Sequence, residues 1–339
     1  MIDVAIDARV TRRMSVGTRV YQRELLARLP HVAPDIRFAT FRGGENLTVR
    51  ELVVLPFEIA RLHPRVVHYL TIFAPPVTPA PYVVTIHDLI HLRHPEMFSS
   101  APARYYALLG GRFARNAARL IVGDERTIED CERFLGVPGE RCRVVPLGYD
   151  PQMLAAVHGD DGPAAQANVR PYFLYAGNHR PHKNLATLFA AWRDLPNAVD
   201  VDLWCTGDDA DGAAQKYTRR NGRLRFLGTV DERRLWAAYR DAIAYVHPAL
   251  AEGFGIPMLE ALVLGTPVIA AHEAVPSIVR PHATVFPARD VTALRDALIV
   301  ALSDRTTLRR ASAEGAAAVR AYTWDRFAAG IAAVYREVA

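Results

Sequence analysis

Lysine is nearly missing from this chain. Only Lys183 and Lys216 occur in 339 residues, so almost all of the 41 basic side chains are arginines. A coding preference accounts for that bias. The net charge of +5 is modest. It suits an anionic substrate or a membrane surface without requiring either. No basic run with interleaved aromatics is present, which argues against a nucleic-acid groove. Cysteine is scarce too. Cys131, Cys142 and Cys205 have neither metal-ligand nor disulfide spacing and fit a reducing compartment. A long unbroken apolar run is lacking. The longest, residues 66–86, carries Pro75, Pro76, Pro79 and Pro81. Prolines at that density break a helix, which excludes a membrane span there. No signal segment precedes the first strand, Ile2 to Asp7, so the expected location is the cytoplasm. Internal repeats and low-complexity tracts are absent. The G-x-G-x-x-G fingerprint is missing after the first strand, which weakens a nicotinamide-dependent oxidoreductase as a reading.

What is present is a long alternation. A chain of 339 residues suits two domains of about 150 residues each. Short apolar runs predict strands over 2–7, 36–41, 65–70, 82–87, 119–123 and 142–147, with helical patterns over 18–29, 103–117 and 126–135. Residues 157–171 are small, polar and marked by Pro and Gly, which is linker composition. The alternation then restarts. Strands are expected over 172–176, 201–206, 224–227, 243–247, 267–270 and 284–286. Helices are expected over 184–194, 231–240, 257–264, 291–302, 306–320 and 324–338. Alternation of this kind predicts parallel sheets covered by helices. The expectation is an α/β chain of two doubly wound Rossmann-like domains, 1–160 and 170–320, with 321–339 as a final helix. Ligands of such sheets bind at the carboxyl ends of strands, and a cleft between two such domains is the default site.

One segment carries most of the chemistry. From His247, through Glu252, Gly253, Phe254, Gly255, Ile256 and Pro257, to Glu260, a strand end passes through a glycine turn into a helix. Pro257 is suited to the first helical turn. Amides at a helix start, aided by the dipole, make an anion site fit for a diphosphate. Carboxylates repel phosphate but accept from hydroxyls. Two acids flanking an anion site therefore point to a diphosphate with sugar hydroxyls on both sides, that is, a nucleotide sugar. Glu252 would hold the transferred sugar and Glu260 the ribose. A plain glycine turn with a capping acid is the simpler alternative.

Other candidates are spread along the chain. Gly17 lies between a strand and a helix, where backbone can approach a phosphate. His87 ends a strand. Lys183 and Arg180 lie between a strand and a helix, where cations can hold charge on a leaving diphosphate. Asp209 and Asp211 form a D-x-D pattern that occurs readily by chance. His87, His91 and His94 lack the acidic partner of a zinc-protease helix.

The segment Glu252-Gly-Phe-Gly-Ile-Pro-Met-Leu-Glu260-Ala, continued by Gly265-Thr-Pro267-Val, resembles the E-x7-E signature of retaining glycosyltransferase family 4, of GT-B architecture. The likeness runs over essentially the whole chain. Gly17-Thr-Arg-Val-Tyr21 resembles the N-terminal glycine loop, and Thr85-Ile-His87-Asp88-Leu the His-Asp strand end. Val144 to Asp150 resembles the segment ahead of the linker. Tyr175 to Asn184 resembles the first loop of the nucleotide domain, and Phe226-Leu-Gly-Thr-Val230 the loop facing the base. Tyr322-Thr-Trp324 resembles the start of a terminal helix that returns to the first domain.

The resemblance implies that His87, Glu252 and Lys183 do the catalytic work. It implies that Gly17, Arg180, Lys183, Val230, Gly253, Phe254, Gly255, Ile256, Leu259 and Glu260 bind the nucleotide sugar, with Leu259 using its backbone. Neither cofactor nor metal is implied. The chain departs from the family at Asn178 and His182, where relatives carry a phosphate arginine, and at Ser277 after Pro276. The overall look is of bacterial mannosyl- and glucosyltransferases of surface polysaccharide, including lipopolysaccharide. The implied donor is GDP-mannose, with UDP-glucose or a UDP-N-acetylhexosamine as alternatives. The implied acceptor is a glycan or lipid-linked glycan. That acceptor would bring the arginine-rich helices 18–29 and 103–117 against the inner face of a membrane. A catalytically inactive sugar-nucleotide-binding scaffold is the rival class.

Overall fold

The computed structural model describes residues 2–11, 14–42, 48, 50–75, 77–98, 104–156 and 170–339. The linker expected over 157–171 falls largely outside them. The chain forms two compact units, Met1–Gly148 with Tyr322–Ala339, and Tyr149–Ala321.

The first unit is built on β1 (Ile2–Asp7), β2 (Phe38–Phe41), β3 (Pro64–Tyr69), β4 (Tyr82–Ile86), β5 (Arg119–Val122) and β6 (Cys142–Val144). They form one parallel sheet in the order β2-β1-β3-β4-β5-β6. The second unit repeats the scheme with β7 (Tyr172–Tyr175), β8 (Asp202–Cys205), β9 (Leu224–Phe226), β10 (Ala244–His247), β11 (Val268–Ala271) and β12 (Ala283–Phe286). Its order is β12-β11-β10-β7-β8-β9. All twelve strands expected from the apolar runs are present. Central strands such as β7 and β10 are buried at every position, as expected of a parallel sheet covered on both faces. The GT-B kind of fold, two Rossmann-like domains in series, is therefore the one found.

Both sheets reverse direction once. In the first unit the reversal falls between β1 and β3, in the second between β7 and β10. Loops leaving adjacent strands on opposite sides open a crevice there, which is where α/β sheets bind ligands.

Helices α1 (Val16–Val32), α2 (Leu55–Ala60), α3 (Leu185–Arg193), α4 (Glu232–Asp241), α5 (Ile256–Val263), α6 (Val291–Ser303), α7 (Arg305–Val319) and α8 (Trp324–Val338) matter most below. Ser15 caps α1 through Thr18 N, Asp231 caps α4 through Arg234 N, and Thr323 caps α8 through Arg326 N. The last of these belongs to the first unit, where α8 packs on α1. Its apolar face buries Trp324, Phe327, Ile331, Val334 and Tyr335. The chain passes Gly148 so close to it that a Cβ there would lie 2.3 Å from Trp324 N, which only glycine tolerates.

Two differences from the sequence reading stand out. The first unit ends at Gly148 rather than 160, and residues 149–156 belong with the second. Residues 50–60, for which the periodicity predicts nothing, are helical, Arg50–Val54 running into α2. Val53, Val54 and Pro56 argue against a helix locally. Tertiary contacts override them: Leu55 and Ile59 are fully buried, and Glu51 pairs with buried Arg9.

Candidate functional site

The second unit assembles its site at the β7–β10 reversal. After β7, the loop through Gly177 and Arg180 reaches Lys183 and then Asn184, whose φ of 55° lets α3 begin. After β10, residues 248–252 lead to the glycine turn. Two bonds stitch these loops together. Leu250 N donates to the His182 carbonyl at 2.8 Å, and Asn184 Nδ2 donates to the Pro248 carbonyl at 3.0 Å.

Lys183 and Glu252 meet across this seam. The Lys183 ammonium donates to Glu252 Oε2 in a short, largely buried ion pair. His247 Nε2 lies 3.1 Å from the same oxygen. A carboxylate only accepts, so the ring donates from Nε2. Burial holds the His247 ring neutral, although Glu252 opposes this. Its Nδ1 is then unprotonated and faces the Tyr245 hydroxyl at 2.9 Å, whose single proton is shared with the Ala176 carbonyl at 3.1 Å. For Glu252, burial works to raise the pKa, but Lys183 and His247 outweigh it and hold the carboxylate well below its ordinary range. The other oxygen, Oε1, has no donor among the described residues.

The glycine turn follows directly. Gly255 has a φ of 77°, and a Cβ there would meet Met258 Cε at 2.3 Å. No side chain caps α5, and its first turn carries no acid, so amides at its start are left for a ligand. Pro257 sits in that first turn as expected, and Gly265 with a φ of 73° ends the helix. Gly253, Phe254 and Leu259 are buried. Ile256 is half-buried.

Glu260 is in the opposite condition to Glu252. It is half-buried and its carboxylate has no hydrogen bond or cation among the described residues. Burial, with Glu232 at the start of α4 nearby, pushes its pKa up to about 8. Val230 is half-buried on the loop after β9, pinned by the Gly207–Gly228 backbone pair at 2.8 and 3.0 Å. Arg180 is exposed. It borders a cavity of 340 Å³ with His179, Asp208, Asp211, Lys216 and Tyr217. Asp209 of the D-x-D pattern is committed, its two oxygens accepting from Ala213 N and Ala214 N at 2.6 and 3.0 Å. Among the described residues no cluster of three or more His, Cys, Asp or Glu could hold a metal ion.

Gly17 and His87 belong to the first unit. Gly17 is exposed in the first turn of α1, and a Cβ there would find only Ser15 Oγ at 3.9 Å. One turn on, Tyr21 packs its ring edge against His87 at 4.9 Å. His87 Nε2 donates to the Leu70 carbonyl at 3.0 Å, and burial keeps the ring neutral, which leaves Nδ1 to accept. Behind Tyr21 runs a buried chain, Tyr21–Thr85–His68–Tyr335, with steps of 2.8, 2.8 and 2.6 Å. Asp88 braces its loop by accepting from Ile90 N at 3.2 Å. His91 packs on Tyr106 and Phe98 rather than joining His87. Sequence reading missed His247 and Tyr245. Their signal was positional: the two face the same side of β10, five and seven residues ahead of Glu252.

Residues 14–153 match the family model "Glycosyltransferase Family 4", and residues 163–318 match "Glycosyl transferases group 1". The chain is 26% identical over 254 residues to O-antigen chain mannosyltransferase B of Escherichia coli, an overlap of 72% of this chain and 67% of that protein. It is 34% identical over 209 residues to the phosphatidyl-myo-inositol mannosyltransferase of Mycobacterium tuberculosis, covering 58% of this chain. The chain spans 54% of that relative's length. Among solved structures, sucrose-phosphate synthase from Thermosynechococcus elongatus superposes with a TM-score of 0.77 at 20% identity over 99% of both chains. Matched in both halves, the chain belongs to the glycosyltransferases, its N-terminal half to family 4 and its C-terminal half to group 1.

Proposed function

We propose that the chain transfers a hexose, with mannose from GDP-mannose the first choice, to a glycan or lipid-linked glycan, with retention at the anomeric carbon. The observation that carries this is Glu252. Its Oε2 is saturated by Lys183 and His247 while Oε1 stays open beside an uncapped helix start. An ionised carboxylate held there accepts a sugar hydroxyl, and the amides at Gly255 and Ile256 with Lys183 hold the diphosphate. Mannose is preferred because both relatives are named as mannosyltransferases.

In this reading the diphosphate leaves, and the negative charge that grows on it is held by Lys183 and the α5 start. His87 Nδ1 accepts from the donor sugar. Glu252 is already an acceptor of protein donors and is held strongly acidic, so it is no base. The acceptor's proton passes to the leaving phosphate, and attack comes from the face it leaves. Lys183 and the helix start take the charge a metal would take elsewhere, so turnover is expected to persist in chelator.

A thermal-shift panel of GDP, GDP-mannose, UDP-glucose and UDP-N-acetylglucosamine tests the donor. Only a bound ligand raises stability by mass action, by ~2.7 kcal/mol at a concentration about 100 times Kd. A shift with UDP compounds alone moves the donor to uridine. No shift with any of them refutes the reading, and binding without transfer to any glycan favours the scaffold.

A lipid-linked acceptor would place the first unit at a membrane. Leu52, Val53, Val54 and Phe57 are exposed there beside Arg50 and Arg61. The arginines of the two helices first considered are partly spent instead. Arg28 pairs with Glu24 and Asp325, and Arg115 donates to the Leu135 carbonyl. Among the described residues no helix is long and apolar enough to cross a membrane. Co-sedimentation with anionic vesicles, lost in Phe57→Asp, is the expected result; no sedimentation of the wild type refutes the contact.

A further inference from the structure

We propose that His247 is a positioning residue for sugar transfer: its Nε2–H, together with Lys183, occupies Oε2 of Glu252 so that Oε1 is the oxygen presented to the sugar. The proposal rests on the nucleotide-sugar reading above. Tyr245 and His247 are two residues apart on β10, so their side chains share one face of the strand. Both are buried. Glu252 Oε2 lies 3.1 Å from Nε2 and can only accept, which sets the ring proton on Nε2; Nδ1 faces the Tyr245 hydroxyl at 2.9 Å, whose single proton is shared between Nδ1 and the Ala176 carbonyl at 3.1 Å. The opposite tautomer would set a lone pair against a carboxylate.

A satisfied core histidine that merely holds the loop is the plainer account. The loop does not need it. Residues 248–252 are already tied to the neighbouring loop through Leu250 N to His182 O at 2.8 Å and Asn184 Nδ2 to Pro248 O at 3.0 Å. What His247 adds is the orientation of one carboxylate. Lys183 alone would not fix that orientation, because an ammonium on a flexible stem is a point charge that a carboxylate can meet with either oxygen. With Oε2 committed to two donors, the remaining N–H groups of Lys183 are left for the diphosphate. One side chain then touches the sugar-holding acid and the leaving group together.

The experiment compares wild type, His247→Leu, His247→Gln and Tyr245→Phe in steady-state transfer, with GDP binding measured separately. His247→Leu is expected to lower kcat by about tenfold or more while GDP affinity stays within about twofold, since GDP has no transferred sugar. His247→Gln should recover most of the rate, because its amide nitrogen can donate where Nε2 does. Tyr245→Phe should lower kcat severalfold with GDP affinity unchanged. In a Glu252→Gln background, His247→Leu should cost nothing more. Wild-type kcat in His247→Leu overturns the proposal. So does an equal loss in Leu and Gln, or additivity with Glu252→Gln. If His247→Leu does not fold, Tyr245→Phe decides alone: wild-type kcat there overturns the proposal. A wild-type protein that binds GDP but moves no sugar refutes the functional reading instead, whatever the variants do.

Discussion

Glu260 should make this protein lose stability as pH rises through neutrality. Burial and the nearby Glu232 push its carboxyl from 4.5 up to about 8. The folded protein therefore keeps a proton on Glu260 between about pH 4.5 and 8, where the unfolded chain has lost it. The native state binds more protons in that window, so unfolding free energy falls as pH rises, by up to ~1.4 kcal/mol per pH unit from this group. Above about 8 both states are ionised and the contribution is flat. The carboxylate is within reach of solvent, which screens it, so the total should be ~1–2 kcal/mol rather than the full product. Glu260→Gln replaces the protonated acid by a neutral near-isostere and removes the slope. Three of the four tryptophans, Trp192, Trp204 and Trp236, lie in the second unit, so fluorescence-detected urea unfolding reports on it. The variant should gain on wild type progressively from about pH 5 to 8 and then hold its lead. Wild-type and variant curves that stay parallel across this range would refute the reasoning.

Three further outcomes follow from the site. Glu252→Ala should lower transfer by about 10² or more, because the contact it loses strengthens in the transition state; wild-type turnover would remove Glu252 from the chemistry. Lys183→Ala should weaken GDP binding by about tenfold or more in titration calorimetry, the loss of a charge-assisted contact, and an unchanged Kd and rate would end the phosphate clamp. Gly17→Ala should separate stability from function: with only Ser15 Oγ near its Cβ, it should leave the melting point equal or slightly higher, by up to ~1 kcal/mol of helix propensity, while turnover falls. Unchanged turnover would place no phosphate at Gly17.

The central strands were legible because each is a short apolar run, buried at every position in β7, β8, β10 and β11, as a parallel sheet covered on both faces requires. Helix α5 was legible from Pro257 and the flanking Gly255 and Gly265, residues whose backbone needs are local. The helical turns over 50–60 were not. Their reasons are Arg9, Leu55 and Ile59, and the Arg9–Asp7–Glu51 cluster joins positions 42 residues apart. The same limit applies to the site. The spacing of Glu252 and Glu260 marks two acids around a helix start, yet cannot show that Lys183 and His247 converge on one oxygen of the first. Nor can it show that Arg180, three residues from Lys183, borders a cavity that Lys183 does not line. Those are consequences of where adjacent parallel strands release their loops.

That convergence explains why two glutamates eight residues apart can do different work. Identical side chains acquire different protonation through their neighbours alone. Glu252 lies against an ammonium and a ring N–H, so it stays ionised despite burial. Glu260 faces Glu232 and no cation among the described residues, so it keeps its proton to about pH 8. An acid of the first kind is a fixed acceptor, ready for a sugar hydroxyl before any ligand arrives. An acid of the second kind must lose a proton to accept two ribose hydroxyls fully. Nucleotide binding would then release a proton near neutral pH, and affinity would rise with pH toward 8. Calorimetry of GDP binding in buffers of different ionisation enthalpy reads that proton directly. Its absence, with affinity independent of pH, would mean that Glu260 does not meet the ribose, and would leave Glu252 and Lys183 as a sugar–phosphate site with its nucleoside held by other residues.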